Sequence, residues 1–205
     1  HESPVVIYDE ETGERASRGV WLLAVLDHPN TKLLDGGVQA WTDAGHKLTT
    51  VTAPPTRTTY SGGRNLDVLA SRFDVHRAIR DDDSVLVDVR RDTEILGTEK
   101  RARRLGTMPG AVPIPWRESL DGKGAFRSAE EIRDVYAAKG ITPDKSIIAY
   151  CQGGYRSANT FLALKSLGYP NVRNYLGSWG EWGNLNDSLI DLPDEAFRQP
   201  KRMQR

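Results

Sequence analysis

The chain has one cysteine and four histidines in 205 residues, and no net charge. A single cysteine excludes an internal disulfide and any zinc site built from several cysteines. The histidines, His1, His28, His46 and His76, lie far from that cysteine in sequence, so no metal site is expected and no histidine base is at hand. The 28 basic residues are balanced by 28 acidic ones, which gives no reason to expect nucleic acid or an anionic membrane as a partner. No apolar run approaches the roughly 20 residues that a membrane-spanning helix needs. No signal peptide is visible, and a lone thiol that works only when reduced suits a cytoplasmic setting.

What the chain does have is concentrated around that cysteine, in Tyr150-Cys151-Gln152-Gly153-Gly154-Tyr155-Arg156-Ser157. The preceding run Ser146-Ile147-Ile148-Ala149-Tyr150 reads as a buried strand. Ala158, Phe161, Leu162, Leu164 and Leu167 follow at the spacing of an amphipathic helix. Cys151 is therefore expected in a tight loop between a strand and a helix. There, successive backbone N–H groups and the helix dipole stabilise a thiolate and any anion beside it. A free cysteine is more often a small buried hydrophobe. Two glycines and a closing arginine in the same loop favour chemistry instead, because glycine after a strand costs conformational entropy unless the backbone must turn or approach a ligand.

The Cys-x4-Arg spacing makes a six-residue cradle from Cys151 to Arg156. Cysteine phosphatases typically use a loop one residue longer, which accommodates a tetrahedral phosphate. The shorter loop suits a smaller group, such as one extra sulfur atom on the cysteine. Together with Gly177-Ser178-Trp179-Gly180-Glu181-Trp182, this loop resembles the rhodanese family of sulfurtransferases, and the resemblance extends over nearly the whole chain. It implies a parallel α/β sheet flanked by helices and a ping-pong reaction. Cys151 takes the outer sulfur of thiosulfate, releases sulfite and holds a persulfide. Cyanide or a thiol then accepts the sulfur, and no cofactor is needed beyond that covalent intermediate. The N–H groups of Gln152, Gly153, Gly154, Tyr155 and Arg156 are expected to form the anion hole, together with Ser157. Arg156 is expected to hold the loop and the anionic end of the sulfur donor. Asp88 and Arg90 match the family's Asp-x-Arg at the end of a neighbouring strand and are carried over as supporting residues. Trp179 is the candidate for an apolar pocket wall. Thr107 stands where the family's Gly-His-Ile-Pro-Gly-Ala turn has its histidine.

A second copy of this pattern is legible upstream. Val5-Val6-Ile7-Tyr8-Asp9 parallels Ile147-Ile148-Ala149-Tyr150-Cys151, and the register continues through Arg15 on Arg156, Pro29-Asn30 on Pro170-Asn171, Lys32 on Arg173, Gly36 on Gly177 and Trp41 on Trp182. Asp9 replaces the nucleophile, and the acidic loop after it is expected to repel an anion. The expected organisation is the C-terminal half of an inactive rhodanese-like domain over 1–46, a linker over 47–58, a catalytic domain over 59–193 and a loosely held tail over 194–205. The first copy is short against the usual domain of about 100–150 residues, and the chain starts at His1. It is therefore expected to be part of a longer polypeptide, whose missing N-terminal fragment is a candidate partner.

Elsewhere, Ser71-Arg72-Phe73-Asp74 and Ser128-Ala129-Glu130-Glu131 read as helix starts. Ser84 to Val89 is an apolar run of the kind found in strands covered on both faces. His76 is expected on the surface. Arg101, Arg103 and Arg104 form a basic cluster that either steers anions or is merely solvated. Three alternatives stay open. One is a 3-mercaptopyruvate sulfurtransferase, whose loops tend to be small and uncharged. Another is a phosphatase or arsenate reductase on the same fold. The last is a non-enzymatic binding module. The physiological acceptor and the oligomeric state are not legible.

Overall fold

The computed structural model of the chain describes residues 3–10, 12–52 and 54–192; the expected tail lies outside them. A two-stranded parallel sheet is formed by β1 (Val5–Ile7) and β2 (Thr31–Leu33), with α1 (Glu14–Val25) between them and α2 (Gly37–Asp43) after them. Residues 47–52 and 54–65 carry no helix or strand and are almost all exposed, as a proline- and threonine-rich linker predicts.

The second unit holds β3 (Leu69–Ala70), α3 (Arg72–Ala78), β4 (Ser84–Asp88), α4 (Asp92–Ile95), β5 (Val112–Pro113), α5 (Ala129–Ala137), β6 (Ser146–Tyr150), α6 (Arg156–Ser166), β7 (Val172–Tyr175) and α7 (Ser178–Trp182). Its five strands are all parallel, in the order β3-β7-β6-β4-β5. The capping boxes read from sequence form as expected: Ser71 pairs reciprocally with Asp74 at the start of α3, and Ser128 with Glu131 at the start of α5.

Strand alternation splits the core into two layers. Ile147 on β6 and Val87 on β4 pack with Ile132 and Tyr136 of α5 and with Phe161 and Leu164 of α6. On the opposite side, Ile148 and Tyr150 pack with Val75 of α3 and with Trp179 and Trp182 of α7. β6 lies in the middle of the sheet, so the residue at its carboxyl end, Cys151, sits where ligands of parallel sheets bind.

The two units repeat one local geometry. Val6 pairs with Lys32 as Ile148 pairs with Arg173. Val5 N–H donates to Asn30 O as Ile147 N–H donates to Asn171 O, at 2.9 and 2.8 Å. Val38 N–H donates to Asp9 O as Trp179 N–H donates to Cys151 O. Gly37 and Ser178 hold the same left-handed conformation, with φ of 57° and 52°.

Trp182 is fully buried and donates its indole N–H to Leu189 O, while Trp41, its partner in the repeat, is 40% exposed and lies against His46. One sequence expectation needs correction. His76 is not a free surface residue: it is half-buried, with its ring 4.7 Å from that of Trp182.

Candidate active site

Cys151 follows β6 directly and is 1% exposed. The loop folds back on its sulfur, so that Gly154 N–H points at Sγ at 3.1 Å and the Ser157 hydroxyl at 3.6 Å. The turn requires a left-handed residue at Gly154 (φ 82°), where a Cβ would also press on Leu176. Gly153 is under no such demand, since space is open around it. The loop is held from below by α7: Cys151 O accepts from Trp179 N–H at 2.9 Å and Gln152 O from Gly180 N–H at 2.8 Å. The Cys151 N–H is taken by Ser178 Oγ at 3.1 Å, and that hydroxyl donates in turn to Tyr175 O.

Burial pushes the Cys151 thiol up, but the Arg156 charge, the Ser157 hydroxyl and N–H and the Gly153 N–H outweigh it, and the thiol is held below its ordinary value. The thiolate is therefore the favoured form closer to neutral pH, without a histidine.

Arg156 acts on the sulfur through its field. Both its terminal nitrogens are engaged by the Glu94 carboxylate of α4, at 2.5 and 2.9 Å. Of the two roles expected of Arg156, holding the loop is the one its geometry displays: its fork is filled by Glu94, which ties the loop to α4 and leaves neither terminal nitrogen turned to a donor. Burial alone would raise the Glu94 carboxyl, yet the Arg156 hydrogen bonds and charge bring it down to about 2.

Gln152 turns its amide outward, to Arg101 O at 3.0 Å. Tyr155 is largely exposed, and the Arg18 guanidinium of α1 lies over its ring at 4.1 Å. The same arginine donates from Nη1 to Gly153 O at 2.6 Å, so the first unit reaches the cysteine loop.

Asp88, Arg90 and Trp179 form a second cluster behind the loop. Arg90 is fully buried, paired with Asp88 at 2.6 Å, bonded to Gly106 O and stacked 4.3 Å over Trp179. Asp88 also accepts from Tyr150 Oη and Thr107 Oγ1, each at 2.8 Å. This closed network braces the ends of β4 and β6, and Thr107 has a packing role in it where the family has histidine. The basic cluster does not present free charge as a unit: Arg101 pairs with Glu99 and Glu94, and Arg104 is bonded to the carbonyls of Trp182 and Ser188.

The upstream loop shows the contrast. Asp9, in the place of Cys151, accepts from the N–H groups of Gly13, Arg15 and Ala16 at 2.9, 3.2 and 3.0 Å. The expectation of simple repulsion is refined: this carboxylate fills its own anion hole.

The profile of the rhodanese-like domain matches residues 72–185, which hold the whole of this site except Arg18. The chain belongs to the rhodanese family. Among similar rhodaneses and their relatives, a thiosulfate sulfurtransferase of Pseudomonas aeruginosa is 35% identical, over 93% of this chain and 70% of that protein. A sulfur carrier protein, TtuD of Thermus thermophilus, is 38% identical, over 90% of this chain and 70% of its own. A solved variant of EanB in complex with ergothioneine superposes with a TM-score of 0.84 at 24% identity, over 92% of this chain. This rhodanese spans about half of that solved chain, 51%, and the likeness concerns the fold. Sequence reasoning gave no role to Glu94, Ser178, Arg18 or Asn174, whose side chain donates to Gly154 O. Two of them left a trace: Ser178 within the Gly177–Trp182 motif, and Glu94 as an acidic residue four positions beyond Arg90 on the turn after β4.

Proposed function

We propose that this rhodanese moves a sulfane sulfur from thiosulfate to cyanide or a thiol through a persulfide on Cys151. The observation that carries the reading is the loop closed on a single sulfur, with Gly154 N–H and the Ser157 hydroxyl aimed at Sγ and the thiol held below its ordinary value. The thiolate attacks the outer sulfur of thiosulfate. The donor's S–S bond breaks, and its electron pair leaves with sulfite. Loop N–H groups then stabilise the negative persulfide as they stabilised the thiolate. Cyanide or a thiolate next attacks the terminal sulfur, and the Cys151 thiolate returns. The relative named as a sulfur carrier protein supports sulfur being held on the chain and passed on. The Arg18 charge beside the loop, which no carboxylate among the described residues pairs with, favours the dianion thiosulfate over 3-mercaptopyruvate.

The first unit is, in this reading, the inactive counterpart of the second. The matched strand register, the paired left-handed positions Gly37 and Ser178 and the self-filled loop of Asp9 support it.

Intact mass before and after thiosulfate tests the proposal. The expected result is a gain of one sulfur atom, absent in Cys151→Ser and reversed by cyanide. Activity on a phosphate ester or arsenate with no mass gain would move the assignment to a phosphatase or reductase.

A further inference from the structure

Peptide groups are planar and, with no cis bonds among the described residues, trans. The N–H and C=O of one peptide therefore point in opposite directions. In the Gly153–Gly154 peptide the N–H faces Cys151 Sγ at 3.1 Å. Its C=O must face away from the sulfur, out of the loop. On that outer side stands Arg18, 2.6 Å from the oxygen. The next peptide is held likewise, with Gly154 O accepting from Asn174 Nδ2 at 3.1 Å.

We propose that Arg18, carried by α1 of the first unit, is a positioning residue for the sulfur chemistry, fixing and polarising the Gly153–Gly154 peptide whose N–H stabilises the charged sulfur of Cys151.

A cation on the carbonyl draws electron density through the amide and makes its N–H a stronger donor. The position also resists rotation of a peptide flanked by two glycines, which would otherwise turn freely. Arg18 is suited to this because its charge is uncommitted: among the described residues it forms no ion pair. The other guanidinium at the loop, Arg156 of α6, is matched by Glu94 of α4, and Glu14 of α1 adds a further negative field on Arg156. Arg18 is held in turn by the ring of Tyr155 and by the seating of α1 on α6, where Asn159 Nδ2 donates to Ser17 Oγ at 3.1 Å.

The inference rests on Cys151 being the nucleophile, but its test needs no sulfur donor. The rate of Cys151 alkylation by iodoacetamide is followed against pH in the whole chain, for wild type, Arg18→Met, Arg18→Lys and the exposed control Arg15→Ala. Arg18→Met keeps the stem over Tyr155 and removes the charge. Its profile is expected to move to higher pH, with alkylation at neutral pH slowed about tenfold. Arg18→Lys is expected to restore part of the shift, and Arg15→Ala to leave the profile in place. Circular dichroism and urea midpoints report folding. If Arg18→Met folds and its profile overlays wild type, the proposal is overturned. If Arg18→Met fails to fold, Arg18→Gln takes its place under the same criterion: a folded variant whose profile moves to higher pH supports the proposal, and one whose profile overlays wild type overturns it. Failure of thiosulfate to load Cys151, with the alkylation shift intact, would count against the sulfur donor and not against Arg18.

Discussion

Ser178 meets two demands at once. It is one of two non-glycine residues with positive φ among those described, at 52°, and its fully buried hydroxyl joins Cys151 N–H to Tyr175 O. Left-handed backbone costs a residue with a Cβ roughly 1–2 kcal/mol, and strain of this kind collects at functional sites. The corresponding residue of the first unit is Gly37, where no nucleophile needs its N–H covered. Ser178→Ala keeps the strain and strands the Cys151 N–H, which should cost about 1–3 kcal/mol. Ser178→Gly also loses the bond but relaxes the backbone, so it should be the more stable of the two by about 1 kcal/mol. Urea unfolding midpoints of the two variants check this; alanine equal to or better than glycine would mean that the strain is not real. Both should load sulfur more slowly, since the Cys151 peptide is no longer fixed.

Between elements, the Glu94–Arg156 pair ties α4 to the start of α6 across the cysteine loop. Glu94 is held at about 2 against the usual 4.5. A carboxyl depressed in the folded state stabilises fully above its unfolded value and loses that contribution as pH falls through the folded value. Here the window runs from about pH 4.5 down to about pH 2, and the contribution is of order 2–3 kcal/mol. Glu94→Gln should therefore destabilise at neutral pH by about 3 kcal/mol, because it leaves Arg156 buried without a counter-charge. It should also flatten the acid limb of a stability curve measured by urea unfolding from pH 7 to pH 3. An unchanged acid limb would show that other carboxylates govern it. The same pair shows what a sequence displays and what it hides. Cys-x4-Arg, the apolar run of β6 and the capping boxes at Ser71 and Ser128 were legible because their partners lie within a few residues. Glu94 and Ser178 bond to residues 62 and 27 positions away, and no local spacing encodes such a match. For the same reason the loop-holding role of Arg156 was legible but its partner was not: a carboxylate 62 positions away supplies it.

For the molecule as a whole, the decisive fact is how the first unit is seated. Trp21 of α1 is 1% exposed, sits in the core layer of α5 and α6, and donates its indole N–H to Val68 O at 2.9 Å. Phe126 N–H donates to the Asp35 carboxylate at 2.9 Å, and Arg18 and Ser17 add the contacts already described. The exposed segment between the units adds covalent connection but little packing. Cutting it should therefore leave the molecule in one piece. Limited trypsin cleavage at Lys47 or Arg57 is expected to give two fragments that co-elute on gel filtration, separate only under denaturing conditions, and retain sulfur loading at Cys151. Trp21→Ala removes the anchor, at a cost of about 3–5 kcal/mol. In that background the nicked fragments should part, and the alkylation profile of the remaining catalytic unit should move in the direction expected of Arg18→Met. Fragments of the wild-type chain that separate under native conditions with Cys151 reactivity unchanged would show instead that the two units are merely neighbours, because a loop governed from α1 cannot keep its thiol unaltered once α1 has left.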